Sequence, residues 1–114
     1  MKITAYQFGR LSTEEQTYDK DFLLTADKVF PRWWRKESHK LYWQDIALFV
    51  DETAPEILIV GQGKFGLMKV MPEVKEKLSL QNIELFAAKT GRAVQEFNKL
   101  CGQRRVLAAF HLTC

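Results

Sequence analysis

The sequence feature that most constrains the fold is an unbroken aliphatic run at residues 57–60, Ile-Leu-Ile-Val. The run lacks polar alternation, so it predicts a strand that is covered on both faces by other elements. An acidic turn at 51–55 precedes the run, and Gly61 follows it. A strand of this kind is typical of α/β proteins, in which helices pack on both sides of a parallel sheet.

A helix pattern begins after this strand at Pro72, whose fixed φ and missing N–H suit the first helical position. Glu73 suits the positive end of the helix dipole, and Val74 and Leu78 form an inner stripe. The pattern predicts a helix that runs to about Gln81.

Three further elements complete the pattern. Residues 83–88 predict a strand, Thr90 is predicted to cap a helix that Gly102 ends, and residues 106–112 predict a last strand. Strand, helix, strand, helix, strand at these lengths predicts a βαβαβ arrangement with a largely parallel sheet. The fold class is therefore α/β, and 114 residues fit one domain, 1–114.

The N-terminal part follows a different pattern. Short extended stretches at 3–8, 22–24 and 29–30 alternate with polar turns, which predicts an antiparallel meander. Between residues 43 and 50 the apolar side chains recur at helical spacing, so a short helix is expected after the meander.

The loop VGQGKFG at 60–66 has the glycine spacing of a dinucleotide fingerprint, at Gly61, Gly63 and Gly66. The fingerprint requires a helix to open at the third glycine, but no helix pattern begins before Pro72. Two interpretations remain: a tight turn, which we favour, and a small anion-binding crevice at the carboxyl ends of the strands. The crevice would be formed by Gly61, Gly63, Lys64, Thr90 and Arg92.

Residues 30–43 interleave aromatic and basic side chains. From 28 to 40 there are five basic residues against one acidic residue, a local charge of +4 in a chain whose net charge is +3. In an extended chain Trp33 and Trp34 face opposite ways, so one fills the core and the other lies at the surface. We rank structural filling first, a protein interface second and single-stranded nucleic acid third. The candidate interaction surface consists of Trp33, Trp34, Arg35, Lys36 and His39.

The cysteines and histidines do not predict a reactive centre. Cys101 and Cys114 lack CxxC spacing, and Cys101 follows the inner stripe of a helix. Because strand side chains alternate, His111 is expected to face away from Cys114. His39 and His111 have no cysteine or carboxylate at metal-binding spacing. We therefore predict no catalytic residue, no metal site and no cofactor.

Five stretches of the sequence together resemble a known domain family. They are ITAYQFGR, WWRKESH, ILIVGQGKFGLMKVMPEV, TGRAVQEFNKL and RRVLAAFHLTC. They look like the small uncharacterised domain first described in a methanobacterial protein. In eukaryotes this domain occurs in the adipogenesis-associated domain-containing protein and, more distantly, in a mitochondrial complex I assembly factor. The resemblance covers essentially the whole chain and implies a three-layer α/β domain with a mixed central sheet and no established enzyme activity.

Taken together, these patterns favour a non-enzymatic cytoplasmic domain that binds another protein through the surface from Trp33 to Lys40. The N-terminus lacks a secretory-signal pattern, no apolar run approaches the length of a membrane span, and the cysteines fit a reducing compartment. The assembly and regulatory roles associated with the eukaryotic members also favour an interaction module. The alternative is a small-molecule binder or enzyme that uses the crevice near the glycine loop.

Overall fold

A computed structural model describes residues 1–114, which form ten strands and three helices. Five of the strands make up one mixed sheet at the centre. The strands are β1 (Ile3–Gln7), β2 (Arg10–Thr13), β3 (Thr17–Tyr18), β4 (Phe22–Leu24), β5 (Val29–Phe30), β6 (Lys40–Leu41), β7 (Ile57–Gln62), β8 (Lys69–Val70), β9 (Glu84–Ala88) and β10 (Val106–His111). The helices are α1 (Trp43–Thr53), α2 (Pro72–Leu80) and α3 (Thr90–Leu100). No helix combines the length and the apolar character that crossing a membrane requires.

The main sheet has five strands in the order β5-β4-β10-β7-β9. Strand β7 runs parallel to both β9 and β10, whereas β4 is antiparallel to β10 and β5 is antiparallel to β4. The predicted βαβαβ arrangement is therefore confirmed as β7-α2-β9-α3-β10. The middle strand is β10, all six residues of which are buried, and the aliphatic strand β7 lies beside it.

The sheet separates two apolar layers. On one face its side chains pack with Phe97 and Ala93 of α3 and with Ile3 of β1. On the other face they pack with Val50 of α1 and Val74 of α2. Helices and a small sheet thus cover both faces, which gives the three-layer architecture.

The N-terminal meander is divided between two sheets. Strands β1, β2 and β3 form their own antiparallel sheet, whereas β4 and β5 join the main one. The reason is burial: in β4 all three side chains, Phe22, Leu23 and Leu24, are buried, so both faces of this strand need cover. Strands β1 and β2 each mix buried with exposed residues, and they form a layer that faces water on one side.

The helix ends agree with the sequence in two cases and differ in one. Helix α2 begins at Pro72, as predicted. The cap position of α3 is Lys89, and Thr90 is the first helical residue, because the Thr90 hydroxyl is hydrogen bonded to the glycine loop at Gly63 and to β10 at His111 instead. Gly102 directly follows Cys101, the C-cap residue, so its predicted place at the end of the helix is confirmed, although Gly102 does not have a positive φ.

Candidate functional site

Two strands bring an acid and a histidine together at one end of the main sheet. In the β4–β10 ladder Phe22 lies opposite Phe110, so Asp21, just before β4, lies next to His111 at the end of β10. Nδ1 of His111 lies 2.7 Å from Oδ2 of Asp21, and the amide of Leu112 donates a hydrogen bond of 2.8 Å to Oδ1. Asp21 is not among the site residues predicted from the sequence.

Arg35 completes a charged network beneath the surface. Its Nη1 donates to Oδ2 of Asp21 at 2.8 Å, and its Nη2 donates to the carbonyl of Ser38 at 2.9 Å. The guanidinium lies 4.7 Å from the centre of the Trp33 ring, and only 5% of the Arg35 side chain is exposed. Arg35 is therefore turned into the fold, and its backbone alone reaches the candidate interaction surface.

This network keeps Asp21 ionised. Burial by itself raises the pKa of Asp21, but hydrogen bonds from His111, the Leu112 amide and Arg35, together with the charge of Arg35, outweigh burial and lower the pKa below its ordinary value. The site therefore holds a carboxylate that accepts hydrogen bonds from three directions.

The ionised carboxylate decides which nitrogen of His111 carries hydrogen. Nδ1 has either a proton or a lone pair, and it lies 2.7 Å from Asp21 and 3.1 Å from Nη2 of Arg35. Asp21 can only accept and lies nearer, and Nη2 of Arg35 already donates to the carbonyl of Ser38, so we assign the proton to Nδ1. In the neutral ring Nε2 then carries a lone pair, and this atom is buried without a hydrogen-bond partner.

His39 and Cys114 lie close to the ring of His111. The rings of His39 and His111 are 6.0 Å apart between centroids, and one ligand atom from each of His39, His111 and Cys114 lies within 4.8 Å of the others. The prediction that His111 faces away from Cys114 is wrong, because strand alternation ends at His111 and the next residues turn toward the glycine loop. There the Leu67 amide donates to the carbonyl of Cys114 at 3.0 Å.

The glycine loop forms a turn rather than the start of a helix. Gly63 and Gly66 have φ values of 99° and 71°, and the next helix begins only at Pro72. A Cβ at Gly61 would lie 2.8 Å from the Phe110 ring and 2.9 Å from Oγ1 of Thr90. The loop is thus packed closely against β10 and α3.

The five residues proposed for an anion crevice divide into two groups. Gly61, Gly63 and Thr90 are buried, and the Gly63 amide donates to Oγ1 of Thr90 at 2.9 Å. Lys64 and Arg92 are exposed, and each cation lies over an aromatic ring, that of Tyr6 at 5.9 Å and that of Phe86 at 5.6 Å respectively. Anion binding by this set stays a prediction.

The interaction surface predicted from the aromatic segment also divides. Trp33 is 7% exposed and its Nε1 donates to the carbonyl of Asp45 at 3.0 Å, whereas Trp34 is 77% exposed. Lys36 and His39 are also exposed. The expected division of the two tryptophans between core and surface is what the structure shows. Trp34 borders an open groove of about 440 Å³ lined by Asp19, Lys20, Asp21, Arg32, Trp33, Trp34 and Thr113.

The fold and the site define a class of protein: a small α/β domain with a mixed sheet and a buried Asp-Arg-His network at one end of its central strand. The chain belongs to the family described as Protein of unknown function (DUF498/DUF598), whose model matches residues 3–111. The resemblance noted in the sequence is therefore confirmed as membership of an uncharacterised family.

Solved structures share this fold. The conserved hypothetical protein PH1505 from Pyrococcus horikoshii OT3 is 25% identical, with a TM-score of 0.83 over 100% of both chains. A Mth938-like domain from Bordetella pertussis is 18% identical, with a TM-score of 0.71 over 97% of this chain and 85% of that one. An outer membrane protein from Bartonella henselae is 22% identical, with a TM-score of 0.80 over 98% of this chain and 94% of that one. The last two similarities establish the fold alone.

Proposed function

We propose that this chain is a non-enzymatic protein-interaction module that binds its partner at Trp34. The observation that carries the proposal is the 77% exposure of this indole beside an open groove. We call Trp34 together with Lys20, Arg32 and Lys36 the Trp34 surface. Tryptophan and arginine are enriched among the side chains that dominate binding energy in protein interfaces.

A rigid base supports the Trp34 surface. Trp33, the preceding residue, is held by its hydrogen bond to the carbonyl of Asp45, and Arg35, the following residue, is held by its ion pair with Asp21. The backbone on both sides of Trp34 is therefore anchored before any partner arrives. Pre-organisation of this kind lowers the entropy lost on binding.

The charges of the Trp34 surface select for an acidic partner. Lys28 and Lys40, elsewhere in the basic segment, form salt bridges with Glu52 and Glu37. Lys20, Arg32 and Lys36 are exposed and have no acidic side chain within 4.0 Å. A segment with carboxylates around an apolar side chain would complement these cations and the indole, and the charges would accelerate its association.

The free state of both cysteines supports a reducing, cytoplasmic location for this module. The resemblance to the domain found in the adipogenesis-associated protein and in a complex I assembly factor supports the same proposal, because assembly requires contact between proteins.

Peptide selection tests the proposal. A random displayed library is selected on the wild-type chain, and the recovered peptides are titrated against Trp34→Ala and Leu48→Ala. Leu48 is the matched control, because it is also a large apolar side chain and is 79% exposed. It lies on α1, outside the Trp34 surface, and Val50 of the same helix packs against the sheet. We expect acidic peptides whose affinity falls at least tenfold in Trp34→Ala and is unchanged in Leu48→Ala. Equal binding by the wild type and Trp34→Ala would overturn the proposal.

A further inference from the structure

We propose that His39, His111 and Cys114 form a binding site for a zinc ion. One nitrogen from each histidine and the sulfur of Cys114 lie within 4.8 Å of one another. The inference is independent of the Trp34 surface, since it concerns other side chains and a different ligand.

The orientation of His111 is the strongest observation for this site. Its side chain is 6% exposed, its Nδ1 donates to Asp21, and its Nε2 is buried without a partner. A histidine that binds a metal through one nitrogen commonly donates its other N–H to a carboxylate, which fixes the ring and strengthens the ligand. Asp21 and His111 already have this arrangement. A metal ion would supply the partner that Nε2 lacks.

The backbones of the other two ligands are fixed, whereas their side chains can turn. The His39 carbonyl accepts a hydrogen bond of 2.8 Å from the Lys69 amide, and the Cys114 carbonyl accepts one of 3.0 Å from the Leu67 amide. Zinc bonds of about 2.0 Å to nitrogen and about 2.3 Å to sulfur in a tetrahedron place ligand atoms roughly 3.3 to 3.7 Å apart. Side-chain rotation at His39 and Cys114 can close the difference from 4.8 Å.

Gly63 makes the close approach of these ligands possible. A Cβ at this position would lie 2.9 Å from Cδ2 of His111 and would collide with the backbone carbonyl of Cys114. A glycine at 63 thus leaves the space in which His111 and Cys114 come together. The middle glycine of the loop therefore serves the metal site and not a nucleotide.

The donor set favours zinc over the hard cations. Two imidazoles and one thiolate suit Zn²⁺, whereas Mg²⁺ and Ca²⁺ prefer oxygen ligands. The positive charge of Arg35 would repel a cation, but the Asp21 carboxylate offsets it. The Cys114 thiol releases its proton to solvent when the metal binds. Three protein ligands leave a fourth position for water or another ligand.

Cobalt absorption spectroscopy tests the site, because Co²⁺ takes the place of zinc and gives a charge-transfer band when it binds thiolate. The chelator-treated wild-type chain is titrated with Co²⁺ and then with Zn²⁺, alongside His39→Ala, Cys114→Ser and Cys101→Ser. Cys101 is the control thiol; its Sγ donates to the carbonyl of Met1, away from the cluster. Circular dichroism establishes that each variant is folded.

We expect one Co²⁺ per chain, a thiolate band that Zn²⁺ removes, and the same behaviour in Cys101→Ser. His39→Ala should bind Zn²⁺ at least tenfold more weakly, and Cys114→Ser should lack the band. A folded wild type without the band, or a band that persists in Cys114→Ser, would overturn the inference. Trp34→Ala should bind Zn²⁺ like the wild type, so failure of the zinc site and failure of the peptide-binding proposal are distinguishable.

Discussion

Asp21 and His111 are 90 positions apart in the sequence, and Oδ2 of Asp21 lies 2.7 Å from Nδ1 of His111. The contact joins the residue that precedes β4 to the last residue of β10. Arg35 binds the same oxygen at 2.8 Å from a segment that belongs to neither strand. Three distant parts of the chain therefore meet at one carboxylate, and we expect the stability of the fold to depend on that charge.

Replacing Asp21 by asparagine should lower the free energy of unfolding by about 3 kcal/mol, because a buried Arg35 would lose its charged partner. Urea unfolding measures the change. Asp19→Asn is the matched control: Asp19 is exposed, so its substitution should change stability by no more than about 0.5 kcal/mol. Equal effects of the two substitutions would contradict the assigned role of Asp21.

Acidification should destabilise the wild type more than Asp21→Asn. The folded pKa of Asp21 is lowered below the ordinary value of 3.8, so its contribution is fully present above that pH and is lost as pH falls through the folded pKa. Urea midpoints measured from pH 6 downward with a chelator present should therefore converge for the two proteins as the pH falls through the folded pKa of Asp21. Parallel curves would show that Asp21 has the same pKa in both states.

The Thr90 hydroxyl should contribute more to the free energy of unfolding than the Thr90 methyl group does. Oγ1 donates to the carbonyl of His111 at 2.6 Å and accepts from the Gly63 amide at 2.9 Å, and Thr90 is fully buried. Thr90→Val should cost about 2 kcal/mol because both backbone groups lose their partner, whereas Thr90→Ser should cost about 1 kcal/mol. Hydrogen exchange at the Gly63 amide should accelerate in Thr90→Val alone, and unchanged protection there would count against this assignment.

Replacement by alanine should be tolerated at Gly91 but should destabilise the fold at Gly63. Gly63 has a φ of 99° and no room for a Cβ beside Cys114, so Gly63→Ala should lower stability by about 3 kcal/mol. Gly91 lies in α3 with nothing within 4 Å of an added Cβ, and Gly91→Ala should raise stability by about 0.5 kcal/mol. Thermal unfolding compares them, and a Gly63→Ala chain as stable as the wild type would refute the packing described for this loop.

The sequence predicts those parts of the structure that depend on local patterns. The aliphatic run of β7, the proline at the start of α2 and the burial of Cys101 each follow from residues within one element. The division between Trp33 and Trp34 follows from the alternation of an extended chain. Local rules stop at element ends, which is why the cap at Thr90 and the pair of His111 and Cys114 were predicted wrongly.

The site depends on pairing that no local pattern contains. Asp21 directly follows Asp19 and Lys20, so in the sequence it looks like part of an ordinary polar turn. Its one distinguishing signal is that it directly precedes β4, a strand whose three residues are all buried, so that an acid at its edge needs a partner. Which partner it finds depends on the β4–β10 ladder, and so on the tertiary fold.

The position of β10 in the middle of the sheet has a consequence for biosynthesis. Its two neighbours, β4 and β7, leave the ribosome long before residues 106–111 do, and neither can complete its ladder until then. During that interval both nascent strands offer open hydrogen-bonding edges to other chains. Translation that stalls before residue 106 should therefore yield an aggregation-prone fragment. A chaperone that shields the open edge of β7 would be needed only until β10 is synthesised.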